Sequence, residues 1–175
     1  GPLMRLRRLP AQVEIALAAG DVATARSAVE ELEQIVDSYK IGGRRTVAFD
    51  GTVPLATGWV QLAEKDFEGA VESLRKARDA WREVGAPYET AQARMLLGVA
   101  LRRRGDEHGG TVELESALAT FAKLGAKLDE ERTKQHLGIH EAAHRTFLFT
   151  DIVDSTKLAN TLGDEKWQRL LSRHD

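Results

Sequence analysis

Six pairs of like residues stand forty positions apart in this chain: Asp66 and Asp106, Leu74 and Leu114, Ala77 and Ala117, Trp81 and Phe121, Gly85 and Gly125, and Ala86 and Ala126. A fixed period of this size is the mark of supersecondary units that stack on one another. An earlier copy begins at Gly20-Asp21-Val22-Ala23-Thr24-Ala25, with Asp21 forty-five residues before Asp66. Each copy has the same grammar: a helix rich in small residues, a Gly-Asp or Lys-Asp turn, a second helix, then a Gly-Ala or Gly-Gly break. The pattern predicts helices at 9–19, 22–40, 49–64, 67–84, 87–104, 107–124 and 126–143.

The punctuation agrees with that reading. Asp21, Asp66 and Asp106 stand where a helix needs an oxygen to accept from its first free N–H groups. Gly42, Gly85 and Gly125 stand where a helix ends in the left-handed conformation. Pro87 falls in a first turn, where its missing N–H costs nothing. Phe67, Ala70, Val71, Leu74, Ala77, Arg78 and Trp81 share one face as a mainly apolar stripe, with Glu72, Arg75, Lys76 and Asp79 outside it. Ala91, Ala93, Gly98 and Ala100 are small enough to let two helices approach closely. In these features the chain resembles tetratricopeptide-like repeats, whose usual period of about 34 residues is shorter. The resemblance implies an all-α, right-handed solenoid of helical hairpins, because such pairs cannot bury their faces alone.

Near the end the pattern changes. Thr146-Phe147-Leu148-Phe149-Thr150-Asp151-Ile152-Val153-Asp154-Ser155-Thr156 reads as a short apolar strand closed by a carboxylate. Phe147, Phe149, Ile152 and Val153 favour extended backbone, and Asp154-Ser155-Thr156 suits the cap of a following helix. A strand-end carboxylate beside a helix N-terminus offers a hard oxygen for a cation and N–H groups for a phosphate.

This stretch, with Leu158-Ala159 and Leu162-Gly163-Asp164 behind it, resembles the opening of a class III adenylate/guanylate cyclase domain. The resemblance covers about the last thirty residues. It implies Asp151 as a ligand to catalytic Mg or Mn and Ile152 as a backbone-carbonyl donor to metal. It also implies Val153, Asp154, Ser155 and Thr156 as the loop that cradles the phosphates of ATP or GTP. Asp154 replaces the family's usual glycine, placing a carboxylate close to a polyphosphate. A whole domain of this family also needs a second metal aspartate, base-selecting residues and an Asn/Arg pair for the transition state. The expectation is therefore a cyclase as the parent protein and no activity in these 175 residues by themselves.

Composition narrows the rest. The formal net charge of −2 gives no chain-wide attraction to nucleic acid or anionic membrane. No cysteine is present, which removes disulfides and thiolate metal sites. No apolar run reaches membrane-span length and no signal peptide is visible, so a cytoplasmic, bacterial-type signalling protein is expected. Gly1-Pro2-Leu3 before Met4 reads as a tag remnant, leaving 4–144 as the helical repeats and 145–175 as the cyclase-like start.

Further features carry two readings each. His136, His140 and His144 would share one face of a continuous helix, where two of them with Glu141 suit a zinc ion. The plainer reading is a polar face that titrates near neutral pH. Arg5-Arg7-Arg8, Arg44-Arg45 and Arg102-Arg103-Arg104 suit acidic partners or simply solvated helix ends. Gly42-Gly43 reads as a turn rather than a phosphate cradle, and Trp59, Trp81 and Trp167 as core or interface. The tail 157–175 reads as two short helices broken at Gly163-Asp164, and with its lone preceding strand it is expected either to promote a homodimer or to be poorly ordered. The expected function is a regulatory module holding a protein or peptide on the solenoid's concave face. The alternative is a scaffold of a transcription regulator with a non-catalytic cyclase relic.

Overall fold

The computed structural model describes residues 2–41 and 47–139. They form seven helices: α1 (Pro2–Ala18), α2 (Val22–Ile41), α3 (Val47–Ala63), α4 (Phe67–Glu83), α5 (Pro87–Arg104), α6 (Glu107–Leu124) and α7 (Lys127–Leu137). The described residues belong to one compact unit, Gly1–His140, and the expected strand lies outside them.

What fixes these boundaries is a repeated hydrogen-bonded stop. Gly20, Lys65, Gly85, Gly105, Gly125 and Gly138 all have left-handed backbone, and those at 65, 85, 105 and 125 are twenty residues apart. At each, the left-handed N–H donates to the carbonyl three back and the next N–H to the carbonyl five back. Gly105 N thus reaches Arg102 O at 3.0 Å and Asp106 N reaches Leu101 O at 2.9 Å. This is the Schellman closure, which satisfies carbonyls the helix would otherwise leave free. The forty-residue repeat is therefore two units, each a helix plus a two-residue turn.

In three of the turns the residue that completes one helix also starts the next. Asp21 accepts from Thr24 N at 3.0 Å, Asp66 from Gly69 N at 3.0 Å, and Asp106 from Gly109 N at 2.8 Å. Ala86 and Ala126 occupy the equivalent place in the alternate turns without a side-chain cap. The three expected caps are present, as are the expected stops at Gly85 and Gly125. Gly42 lies outside the described residues.

Two ends differ from the sequence-based expectation. The first helix begins at Pro2, not at 9, and runs through Pro10. Proline removes one ladder hydrogen bond, but Leu9, Val13 and Ala16 are buried on one stripe and hold the helix against α2. The last helix stops at Leu137 rather than 143, because Gly138 takes φ +74° and closes it.

Each helix packs on its chain neighbours, and the odd helices also meet one another: α1 with α3, α3 with α5, and α5 with α7. Among the described residues the even helices do not meet. One core joins α4, α5 and α6 through Leu74, Leu97, Leu114 and Phe121, and another joins α1 and α2 to α3 through Val13, Leu32, Val36 and Val60. Helix α3 serves both, turning Ala56 and Val60 to one core and Leu55, Trp59 and Leu62 to the other. A helix used on two sides must be apolar most of the way round.

Glycines set the spacing between partners. A Cβ on Gly58 would stand 2.5 Å from Leu74 Cγ, and one on Gly98 would stand 2.7 Å from Leu114 Cγ. Both pairs are forty residues apart, so the repeat conserves a contact as well as a pattern. At Gly98 the partner's backbone is also close, 2.8 Å from such a Cβ to Gly110 O.

Candidate interaction groove

The residues expected to bind metal and phosphate, Asp151, Ile152, Val153, Asp154, Ser155 and Thr156, lie outside the described residues, as do His140, Glu141, His144 and Trp167. His136 is in the last turn of α7, and the helix that was to carry the other two histidines ends one residue later. Among the described residues no group of three or more His, Asp or Glu side chains is placed to hold a metal ion. No described helix is long and apolar enough to cross a membrane.

Two recesses lie along the row of odd helices, and others open between α5, α6 and α7 and between α4, α5 and α6. One cavity of about 360 Å³ lies between α1, α3, α4 and α5, with Glu14, Thr52, Trp59, Trp81, Glu89 and Gln92 on its walls. A second, of about 440 Å³, is lined by Leu17, Leu62, Leu96, Val99, Arg103 and His136, and again by Trp59. The shared indole makes them neighbouring parts of one groove. Trp81 can reach its wall because Gly51 yields the space: a Cβ there would lie 2.5 Å from the indole Cε2.

The two halves carry opposite charge. Beside the smaller cavity, the Tyr88 hydroxyl donates to Asp129 at 3.0 Å, and Arg132 lies 3.8 Å from both Glu14 and Asp129. Partial burial, then the Asp129 hydrogen bond and charge, push the Tyr88 phenol up to about 12. Among the described residues no cation pairs with Glu89. At the other half stand Lys65, Arg103 and His136. His136 presents part of its surface to solvent, yet packing against α5 and the charges of Arg102 and Arg103 hold its imidazole below the usual value.

The basic run at the end of α5 divides its work. Arg102 pairs with Glu107 at 2.8 Å and Arg104 with Glu68 at 3.1 Å, both across turns or between helices. Arg103 instead lines the groove. Of the other runs, Arg5 pairs with Glu31, and Arg44 and Arg45 lie outside the described residues. A partly buried pair links α4 to α6, Arg78 to Glu113 at 2.6 Å, with Arg94 of α5 at 3.8 Å from the same carboxylate.

Such a surface suits binding: apolar walls for burial, an aromatic centre, and charges at either end to set orientation. Glu14, Glu89 and the role of Trp59 escaped sequence reasoning, because they come from helices far apart in the chain. The odd-helix positions of these residues were the available signal. No family model, curated protein or solved structure matches the chain.

Proposed function

We propose that the chain is the protein-binding, regulatory arm of a signalling protein whose complete form is a class III nucleotide cyclase. In this reading the helices stack as a right-handed tetratricopeptide-like solenoid with the odd row inside. The observation that carries it is the groove along that row, two cavities joined at Trp59. Contact between successive odd helices, without contact between even ones among the described residues, supports their place on the crowded inner side. A protein or peptide segment held there would bias a cyclase domain that begins at 145 and works as a dimer.

The cyclase half rests on the resemblance of residues 147–164. Asp151 and the Ile152 carbonyl would hold Mg or Mn, with Val153, Asp154, Ser155 and Thr156 around the phosphates of ATP or GTP. The test is a longer form carrying a whole cyclase-like domain, assayed for cyclic AMP and cyclic GMP with manganese beside Asp151→Ala. Product that disappears in the variant supports the enzyme. A folded, dimeric protein giving no product from either nucleotide would overturn it. One observation favours a second reading, a scaffold of a transcription regulator with a non-catalytic relic: Asp154 puts negative charge where phosphate would sit. That reading expects the null result in the same assay.

A further inference from the structure

We infer that the cavity between α1, α3, α4 and α5 is a receptor for an arginine side chain on a protein segment, seated over Trp59 between Glu14 and Glu89. This deepens the reading of the odd row as a docking surface and rests on it.

The chemistry points to a cation. Two indoles and two carboxylates share the walls of one cavity of about 360 Å³, of a size for a side chain rather than a domain. Indole faces attract cations, and a carboxylate beside them adds a directed partner. Among the described residues positive charge is scarce here: Arg132 serves both Glu14 and Asp129, and Glu89 has no paired cation. A guanidinium fits this set better than an ammonium, because its plane stacks on an indole while its edge forks onto a carboxylate.

The neighbouring half says that the cation arrives on a chain. Beyond Trp59 the groove continues over Leu17, Leu62 and Leu96 to Lys65 and Arg103. Glu89 and Arg103 are fourteen positions apart on α5, roughly 21 Å at 1.5 Å per residue. An extended segment covers that in about six or seven residues at some 3.3 Å each. The segment that fits has arginine at one end, apolar residues between, and a carboxylate at the other. A free amine would use only the first part.

The experiment titrates the chain with N-acetyl-arginine amide and with its uncharged isostere N-acetyl-citrulline amide. The readout is the Trp59 indole N–H resonance, assigned with Trp59→Phe. A saturable shift is expected in the millimolar range for arginine, at least about tenfold weaker for citrulline and in Glu89→Gln. Glu14→Gln repeats the measurement should Glu89→Gln unfold. Glu72→Gln, on the outer face of α4, leaves the titration unchanged. Equal titration by both probes, or unchanged affinity in both glutamine variants, would overturn the inference, as would the absence of a saturable shift. A capped acidic, apolar octapeptide without arginine separates the two levels. If it binds near Leu62 and Leu96 while arginine does nothing, the docking surface stands and the arginine receptor falls. If neither binds, both fall.

Discussion

At Gly98 the only group that fits between α5 and α6 is a hydrogen, since a methyl would meet both the Leu114 side chain and the Gly110 carbonyl. Leucine can turn away, but a helix backbone cannot. Gly98→Ala is therefore expected to destabilise by about 1–3 kcal/mol, and Gly58→Ala, which meets only Leu74, by less. Urea unfolding of the two variants checks the order. Lys65 poses the opposite case. It holds a left-handed φ of 65° at the place where the next repeat has Gly105. Lys65→Gly should stabilise by about 0.5–1 kcal/mol, the left-handed strain outweighing glycine's greater freedom when unfolded. Lys65 also shows a limit of reading residue types: the turn is invisible as a glycine signal. It emerges only from the forty-residue offset to Gly105.

Helices are where most of the fold was legible. The apolar stripe of α4, the three aspartate caps and the stops at 85 and 125 are local chemistry, and local chemistry is written in consecutive residues. Asp106→Ala should cost about 1 kcal/mol by removing the acceptor for Gly109 N, and Asp66→Ala about the same, measurable as parallel falls in Tm. Of the two misplaced ends, the stop at Gly138 is also local, a glycine of the kind that closes helices, whereas the start of α1 has a different origin. Burial of Leu9 and Val13 carries α1 through a proline, and tertiary packing of that kind has no local signature. The groove is legible only as a list of parts: Trp59 reads as core or interface, but its meeting with Glu14 and Glu89 depends on three helices coming together. Titration belongs to this scale as well, because it reports how α5 and α7 meet. The His136 pKa is lowered in the folded state, so its contribution is complete above the unfolded value near 6.5 and is lost as pH falls through that region. His136→Gln should flatten the loss of stability on acidification. Tyr88 has the reverse sign: its raised value gives stability that is present below pH 10 and lost between about 10 and 12.

Across the whole described unit, two cores share a single helix. Leu32→Ala, in the core of α1 and α2, should cost about 2–5 kcal/mol there. It should speed amide exchange in α1 and α2 while α5 and α6 remain slow, since α3 is the helix that packs on both cores. Uniform acceleration across all seven helices would show instead that the unit opens in one step.

The twenty-residue spacing of the left-handed stops makes helix length a ruler. Adding one residue to α5 after Gly98 would turn every later side chain by about 100° and carry Leu114 away from Gly98. Adding forty would change nothing at any junction, since the cassette would begin and end on the same chemistry. Growth by whole cassettes leaves every existing seam intact, so a chain of this kind lengthens more readily than it drifts.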